Sequence, residues 1–535
     1  MKRRRSLALV ALILLVTMIL EMAGAGFRAI WPSVAALLLV FTVRNVLLGL
    51  LGGALVGSLL LSGGRIWEVP VSLVGDHLLP NFESPWKSGA LLFTLLLGGF
   101  VHLLEKGGTL QVLLARLLGG RSPRKVETGA GLFGMICFFD GLANSLMVGR
   151  IFQPMAAATG VSRVRLAYIV DTTSAAVACL AFISTWIAYQ LSMIREGYIL
   201  AGREAEAEPY QLFFLSLPHN YYAWFALILM GVVIWKQWNF GSMGTYAPTQ
   251  ADPAEPIQLP VPEAGLWRAW IPVVVLIGCV FAGIYSDGTS RMGLPVLPLA
   301  WEKLALSFSE ANVPVILVSA SGLAAFLAWL FFPPARLAGQ GTAGSVFTEG
   351  MLQLFQPVLI LIMAWMLSST LKDLQAADYL GSMLDGWVPV SLFPLAVFLC
   401  ASVVAFTTGT SWGTMGLLMP LSIPLVFTLA GETPAAGAAH VPVVIGAVFS
   451  GAVFGDHCSP ISDTTIVSSI ACGVDPMDHV RTQLPYALLA AAGAALLGFP
   501  LAGLSEGSIT LSFLSGGLFF GLILGLQSFY RTRES

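Results

Sequence analysis

The chain has 535 residues, of which 56% are hydrophobic and only 10% are charged, and its net charge is −2. A soluble domain has about 25% charged residues, so this chain has too few to cover a surface that faces water. The composition predicts a polytopic membrane protein in a lipid bilayer. It argues against a nucleic-acid partner, which would require a strongly basic surface.

The first residues resemble a signal peptide, because the basic run from Lys2 to Arg5 precedes a short apolar stretch and several small residues. Further apolar segments follow at once. A multispanning protein normally keeps its first helix, so we expect a retained first span. The six cysteines form no CxxC pair, and therefore predict neither a disulfide framework nor a zinc site. No cofactor is expected.

Apolar segments of membrane-spanning length recur along the whole chain, and the fold class predicted is all-α with about 12 full spans. The predicted spans are 7–22, 29–43, 45–61, 89–105, 166–190, 212–235, 269–286, 313–332, 351–371, 441–455, 485–503 and 509–529. Two other apolar regions, 126–162 and 388–430, are interrupted by glycine and polar residues. These predict re-entrant hairpins, because polar backbone at membrane depth needs a protein or water-filled environment.

Basic loops indicate the orientation of the chain, because Lys and Arg accumulate on the cytoplasmic side of membrane proteins. With the N-terminus in the cytoplasm, the basic loop at 105–125 also lies inside and the acidic loop at 195–210 lies outside. The segment 237–268 is rich in Pro, Ala and Thr and predicts a cytoplasmic linker.

The two halves of the chain resemble each other in the order of their motifs. Glu105 and Lys372 are 267 positions apart, and Gly141 and Gly409, in the two hairpins, are 268 apart. "VDTTSAAV" and "SDTTIVSS" follow the first and second hairpin. The loop before the first hairpin is basic and the loop before the second is acidic, which predicts inverted repeats with broken transmembrane helices.

The predicted organisation has six parts. They are N-terminal spans at 1–85, a first repeat at 86–236 with a hairpin at 126–162 and a broken helix near 171, the linker at 237–268, connecting spans at 269–340, a second repeat at 341–484 with a hairpin at 388–430 and a broken helix near 456–463, and C-terminal spans at 485–535.

The stretch "FGDHCSPISDTT" at 454–465 gathers polar side chains between apolar flanks. Pro460 disfavours a continuous helix, so we expect two half-helices with Ser459 or Ser462 capping the second. Broken helices near the midplane form the ion and substrate sites of many secondary transporters. Burial favours the protonated form of a carboxylate, so one aspartate can hold either H⁺ or Na⁺.

The predicted ion site contains Na⁺ at Asp456, Asp463 and the neighbouring hydroxyl groups. Supporting residues come from "VDTTSAAV" and from the two hairpin tips. The alternative for the aspartate of "VDTTSAAV" is a helix cap at the interface, which the repeat makes less favourable, and the alternative for the hairpin hydroxyls is a bond back to the helix. The candidates are Asp456, Asp463, Ser459, Ser462, Thr464, Thr465, Asp171, Thr172, Thr173, Asp140, Asn144, Ser145, Thr410, Ser411 and Thr414. His457 lies within the motif and is a candidate pH sensor or a structural hydrogen-bonding group. His479, near a predicted span end, is expected at the interface.

Three segments, "TGTSWGTMGLLMP" at 408–420, "FGDHCSPISDTTIVSS" at 454–469 and "DHVRTQLPYAL" at 478–488, resemble the NhaC-type sodium/proton antiporter family of the ion transporter superfamily. The resemblance is dense over 345–500 and looser over 90–190. It implies an exchanger of the cytoplasmic (inner) membrane with two inverted repeats, which often forms a homodimer. Some members couple cations to small carboxylates or other organic solutes.

The sequence therefore predicts a secondary antiporter that exchanges cytoplasmic Na⁺ or Li⁺ for external H⁺. The main alternative is a Na⁺- or H⁺-coupled carrier of an organic solute, a carboxylate or an amino acid. An arginine facing the site would favour a carboxylate, and Arg150 and Arg163 are the candidates. A channel is disfavoured by the paired broken elements, and an enzyme by the lack of a catalytic constellation.

Overall fold

The computed structural model describes residues 2–23, 26–43, 45–107, 122–246, 267–298, 303, 307, 310–332, 342–376, 379, 388–431 and 434–534. Over these residues the chain is helical and contains no strand. An α-helix satisfies every backbone polar group within one segment, which a lipid environment requires. The predicted all-α fold is therefore confirmed.

Twenty-three α-helices make up the described chain. They are α1 (Lys2–Ala23), α2 (Trp31–Val43), α3 (Val46–Leu61), α4 (Val69–Ser72), α5 (Leu79–Glu83), α6 (Pro85–Gly107), α7 (Pro123–Ile136), α8 (Gly141–Thr159), α9 (Arg163–Leu180), α10 (Ile187–Leu200), α11 (Pro209–Ser216), α12 (Tyr221–Lys236), α13 (Trp267–Arg291), α14 (Val313–Leu330), α15 (Ala343–Gln353), α16 (Phe355–Asp373), α17 (Phe393–Thr408), α18 (Ser411–Leu429), α19 (Pro434–Cys458), α20 (Asp463–Cys472), α21 (Pro476–Gly493), α22 (Phe499–Leu504) and α23 (Ile509–Glu534).

Nine helices in the described residues are long and apolar enough to cross a membrane. Four shorter apolar helices, Val10–Met22, Trp31–Val40, Val46–Leu61 and Phe393–Thr408, accompany them. The first three of these coincide with predicted spans. The chain is thus a multi-pass membrane protein, as its composition predicts.

The same succession of elements occurs twice. Helices α7 and α8 form a hairpin that turns at residues 137–140, and α17 and α18 form another that turns at 409–410. At the first tip the Asp140 carboxylate accepts a hydrogen bond from the N–H of Ala143, 2.8 Å away. At the second tip the Thr410 hydroxyl accepts one from the N–H of Gly413, 3.2 Å away. Both tips therefore end in an N-cap of the same kind.

The helix predicted to break near Asp171 is not broken there. Helix α9 runs without interruption from Arg163 to Leu180, and the chain leaves the helix at 181–186, before α10. The hydroxyl of Thr172 donates to the carbonyl of Tyr168, 2.7 Å away. Such bonds to the preceding turn allow threonines in a helix interior, and the segment has no Pro or Gly. The predicted span 166–190 is consequently two helices.

The second predicted break is present. Helix α19 ends at Cys458 and α20 begins at Asp463, so four residues that include Pro460 separate them. Proline cannot donate a backbone hydrogen bond to a continuing helix. Of the predicted linker 237–268, residues 247–266 lie outside the described residues, and Gly241–Met243 form a short 3-10 helix.

Two glycines bring α17 and α19 into close contact. A Cβ on Gly451 would lie 2.4 Å from the Cβ of Ala401, and one on Gly455 would lie 2.2 Å from the Cβ of Ala405. Both distances are shorter than real Cβ contacts allow. The spacing is the Gly-x-x-x-Gly pattern that permits close packing of transmembrane helices. The polar end of α19 is thereby held against the second hairpin.

Candidate ion-binding site

The break between α19 and α20 brings the carboxylate of Asp456 next to hydroxyl groups of the following segment. Asp456 itself is only 4% exposed. Its Oδ1 accepts a hydrogen bond from the Ser462 hydroxyl at 2.5 Å, and its Oδ2 accepts one from the Thr464 hydroxyl at 3.0 Å. A buried charge needs such partners. The motif thus forms a compact group of oxygen atoms around one aspartate.

A second buried carboxylate, Asp171, lies in the middle of α9 and is fully buried. The amide of Gln483 donates to its Oδ2 at 2.7 Å, and Nε2 of His479 lies 3.2 Å from the same oxygen. The hydroxyls of Ser468 and Thr465 approach Oδ1 and Oδ2 at 3.3 and 3.2 Å. Side chains from α20 and α21 therefore surround an aspartate of the first repeat.

Two of these side chains also reach the end of the broken helix. The Thr465 hydroxyl lies 2.9 Å from the main-chain oxygen of Asp456, and the Gln483 amide donates to the main-chain oxygen of His457. Carbonyls in the last turn of a helix have no partner within the helix. Thr465 and Gln483 supply those partners, and so connect Asp171 with the main chain beside Asp456.

A cavity of about 300 Å³ lies between the two hairpin tips and the break. Asp140, Asp456 and Asp463 are among its lining residues, with Trp186 and Trp412 beside them. Among the lining residues that the structure describes, none is Lys, Arg or His. Carboxylates without a neighbouring positive side chain produce a negative potential that attracts cations. The cavity is therefore suited to a cationic guest.

Asp140 serves both as a helix cap and as a cavity residue. Besides the Ala143 N–H, its carboxylate accepts a hydrogen bond from the Thr185 hydroxyl at 2.8 Å. Thr185 lies in the segment between α9 and α10, and its N–H donates to the carbonyl of Phe139. The hairpin tip and this segment are thus fastened together at the cavity wall.

The sequence predicts that Asp463 shares the ion site with Asp456, but the surroundings of the two aspartates differ. Asp463 is exposed, and its carboxylate accepts no hydrogen bond within the described part of the chain. Both aspartates line the cavity, but Asp171 is the second buried carboxylate. Asp456 lies in the last turn of α19 and Asp463 begins α20, so the predicted break separates the two carboxylates.

The remaining candidates from the second repeat divide into two groups. Ser411 lines the cavity with Thr410, and Ser459 is fully buried in the break. The hydroxyl of Thr414 instead donates to the carbonyl of Thr410 at 2.9 Å. That bond is internal to the helix, so Thr414 is not placed toward a carboxylate.

The first-repeat candidates likewise differ in their contacts. Ser145 accepts a hydrogen bond from Ser468 at 2.9 Å and so belongs to the surroundings of Asp171. Asn144 donates to the carbonyls of Gly134 and Thr173 at 2.7 and 3.2 Å. The hydroxyl of Thr173 bonds back to its own helix, so it is a structural group.

His457 is buried, and both of its ring nitrogens have partners. Nε2 lies 3.0 Å from the Thr172 hydroxyl, and Nδ1 lies 2.6 Å from the hydroxyl of Tyr222. Since Thr172 donates its proton to Tyr168, it accepts one from Nε2, and Nδ1 accepts from Tyr222. A neutral imidazole satisfies this arrangement completely. The geometry favours the structural role, and pH sensing by His457 stays a prediction.

Sequence reasoning missed three residues at Asp171. His479 was expected at the interface but is fully buried, as are Gln483 and Ser468. His479 and Gln483 are four positions apart on α21 and so share one helix face. That spacing was a signal that the two side chains contact the same neighbour. Nothing in the sequence identified Asp171 as the carboxylate they approach.

Comparison with known proteins places these features in a family. The model of the Na⁺/H⁺ antiporter family matches residues 177–503. An uncharacterised protein of Haemophilus influenzae is 29% identical over 490 residues, which cover 89% of this chain and 92% of that protein.

Shorter matches connect the chain with named antiporters. The malate-2H⁺/Na⁺-lactate antiporter of Bacillus subtilis is 34% identical over 132 residues, 24% of this chain and 26% of that one. The Na⁺/H⁺ antiporter NhaC of Alkalihalophilus pseudofirmus is 35% identical over 125 residues, 23% and 24% of the two chains.

Among solved structures, the transporter MtrF of Neisseria gonorrhoeae superimposes with a TM-score of 0.58 at 14% identity, over 83% of this chain and 85% of that one. This likeness concerns the fold. The family match covers more than half of the chain, and the named relatives are antiporters. The protein is a secondary antiporter and belongs to the Na⁺/H⁺ antiporter family, as the NhaC-type resemblance of its motifs indicated.

Proposed function

We propose that the protein exchanges cytoplasmic Na⁺, or Li⁺, for external H⁺ across the cytoplasmic membrane, with its N-terminus in the cytoplasm. The observation that supports this most directly is the cavity with Asp140, Asp456 and Asp463 in its wall and no basic side chain among its described lining residues. Such a wall attracts small cations and repels anions.

Asp456 is the group at which the two ions compete. Its carboxylate is buried beside the hydroxyls of Ser462 and Thr464. When the site holds no cation, both hydroxyls donate to the carboxylate. When Na⁺ enters, the same oxygens present their lone pairs to it, and the carboxylate cannot hold a proton at the same time. Mutually exclusive occupation is the requirement for exchange.

Helix α20 influences how firmly the cation is held. Its first turn begins at Asp463, next to the hydroxyls that contact Asp456. The N-terminal end of a helix has a partial positive charge and unpaired N–H groups. It stabilises the carboxylate after the cation leaves, so that Na⁺ can be released.

Exchange of an organic carboxylate receives less support from the cavity. A relative is named as an antiporter of malate and lactate, and such a substrate would require a positive side chain at the site. Neither arginine that the sequence suggested lines the cavity. Arg150 is exposed, and Arg163 donates to the carbonyl of Gly473 at 3.1 Å.

The volume of the cavity favours one further candidate, a small organic cation. Sites for organic molecules begin at about 300 Å³, which this cavity reaches. Trp186 and Trp412 in its wall are side chains whose ring faces attract organic cations. A basic amino acid would have this charge.

The test uses purified protein in sealed vesicles that contain a pH dye. A pH gradient is imposed, and Na⁺, Li⁺, K⁺ or choline is then added outside. We expect Na⁺ or Li⁺ to dissipate the gradient with the wild type and not with Asp456→Asn. The exposed Asp373 provides a matched control, and Asp373→Asn should behave as the wild type. If no inorganic cation acts but malate or arginine does, the proposal is wrong. The homodimer stays a prediction, which light scattering of the purified protein would test.

A further inference from the structure

The buried surroundings of Asp171 are separate from the cavity. We call the group formed by Asp171, Ser145, Ser174 and Ser468 the Asp171 pocket. All four residues are fully buried, and none of them lines the cavity that Asp456 faces. Helices of both repeats contribute, because Asp171 and Ser174 lie on α9, Ser145 on α8 and Ser468 on α20.

The two carboxylate oxygens of Asp171 have different neighbours. Oδ2 takes the nitrogen donors, from Gln483 at 2.7 Å and His479 at 3.2 Å. Oδ1 faces hydroxyls only, those of Ser468 at 3.3 Å and Ser174 at 3.5 Å. One side of the carboxylate is thus occupied by hydrogen bonds, and the other is surrounded by oxygen atoms.

The distances on the Oδ1 side are long for hydrogen bonds between oxygens, which are usually about 2.7–2.8 Å. Both hydroxyls donate their protons elsewhere, Ser468 to the hydroxyl of Ser145 and Ser174 to the main-chain oxygen of Asp171, each at 2.9 Å, so their lone pairs face Oδ1. For an ion the size of Ca²⁺, to which Na⁺ is close in radius, ligands lie at about 2.4 Å, so two ligands at right angles are about 3.4 Å apart. The separations of Oδ1 from the two serine hydroxyls correspond to that value.

Residues around the pocket also have buried polar atoms without partners. In the described chain, Oδ1 of Asn144, Oε1 of Gln483 and Nδ1 of His479 are buried without a hydrogen-bond partner. The Gln483 amide donates to Asp171, and its oxygen is bonded to the same carbon as the donating nitrogen, so that oxygen also lies near the pocket. Buried polar atoms without partners are rare in native structures.

The end of α19 adds negative partial charge beside the pocket. Asp171 is connected through Thr465 and Gln483 to the main-chain oxygens of Asp456 and His457, at the C-terminal end of α19. That end of a helix has a partial negative charge. Of the ionisable side chains nearby, Asp456 is acidic, His457 is satisfied as a neutral ring, and His479 contacts Oδ2 alone. A cation at Oδ1 would balance this charge.

We propose that the Asp171 pocket binds a second monovalent cation of the size of Na⁺, separate from the cation that Asp456 takes from the cavity. The proposal deepens the proposed function and rests on it. Thr465 lies near the Asp171 carboxylate and near the main-chain oxygen of Asp456, so a change at one site can reach the other through its side chain. Two cations per transport unit would follow.

The experiment measures equilibrium binding of radioactive ²²Na⁺ to the purified full-length protein by scintillation proximity, at alkaline pH. We expect saturation at two Na⁺ per chain. Ser468→Ala removes a hydroxyl beside Oδ1 and should weaken one site by at least about tenfold, since even outer-shell groups of a metal site contribute that much. Ser469→Ala is the matched control, because the neighbouring Ser469 hydroxyl donates to the carbonyl of Thr465 at 2.6 Å and should leave both sites intact.

Saturation at one Na⁺ per chain, with Ser468→Ala unchanged, would overturn the second site. The wild-type stoichiometry decides this even if a variant fails to fold, and Ser145→Ala provides a second change in the pocket. Vesicle exchange distinguishes the two proposals. Na⁺-dependent exchange with one bound Na⁺ refutes the second site alone, whereas two bound Na⁺ without any exchange of Na⁺ for H⁺ refutes the proposed function.

Discussion

The hydroxyl of Thr465 lies 3.2 Å from the carboxylate of Asp171, although the two residues are 294 positions apart. The same hydroxyl lies 2.9 Å from the main-chain oxygen of Asp456. One side chain of the second repeat thus joins a buried aspartate of the first repeat to the end of a broken helix.

This contact leads to the first prediction, for Thr465→Val. The substitution retains the shape of the side chain and removes its hydroxyl, so the main-chain oxygen of Asp456 loses a partner. A buried acceptor without a partner costs about 1–3 kcal/mol. We expect lower thermal stability in detergent and Na⁺-dependent exchange reduced by about tenfold or more. Thr465→Ser, which keeps the hydroxyl, should restore most of the activity. Equal activity of the Val and Ser variants would contradict this role.

The second prediction separates the two aspartates at the cavity. Asp456 is buried among hydroxyls, whereas Asp463 is exposed. Asp456→Asn should abolish exchange. Asp463→Asn should only raise the Na⁺ concentration for half-maximal exchange severalfold, because water and salt screen an exposed charge. The measurement is exchange rate against Na⁺ concentration at low and high ionic strength. A complete loss of exchange in Asp463→Asn would instead support the site predicted from the sequence, in which Asp456 and Asp463 hold Na⁺ together.

A third prediction concerns the buried ion pair of Glu127 and Arg165. The guanidinium donates to the Glu127 carboxylate at 2.5 and 3.0 Å and to the carbonyl of Val233 at 2.8 Å. Removal of one partner from a buried pair typically costs about 3–5 kcal/mol. Arg165→Met should therefore lower the thermal unfolding temperature strongly. The double variant with Glu127→Gln should recover part of that loss, since no unpaired charge then remains. If the double variant is no more stable than Arg165→Met alone, the unpaired charge of Glu127 is not the cause of the lost stability.

The fourth prediction distinguishes the two roles of His457. A structural imidazole requires only that Thr172 and Tyr222 keep their partner. Gln offers a donor and an acceptor in one side chain, so His457→Gln should lower stability while the pH dependence of exchange keeps its shape. Tyr222→Phe serves as a comparison, because it removes one of the same hydrogen bonds. A shift of the pH profile in His457→Gln and not in Tyr222→Phe would support sensing instead.

Much of the fold was predictable because membrane spans depend on composition over a long window. The break at 459–462 was predictable for a local reason, since Pro460 cannot continue a helix. The break near Asp171 was predicted wrongly. Polar residues suggested an interruption, but threonine hydroxyls bond to the preceding turn and let the helix continue.

The site was predictable only in part. The residues of the break identified Asp456 and its hydroxyl partners, because these are neighbours along the chain. The contacts of Asp171 with His479 and Gln483 connect residues 308 and 312 positions apart. Such contacts depend on how α9 packs against α20 and α21. A single sequence does not reveal that packing, and so it does not show that these residues are in contact.

The glycine contact between α17 and α19 restricts the movement that transport requires. A contact that leaves no space for a Cβ at Gly451 or Gly455 also leaves no space for one helix to slide along the other. We therefore expect these two helices to move together during transport, and the carboxylate of Asp456 to move with them. On that expectation, the surfaces that open and close during transport lie outside this contact, and a bulky residue at Gly455 would push apart two helices that need to stay together.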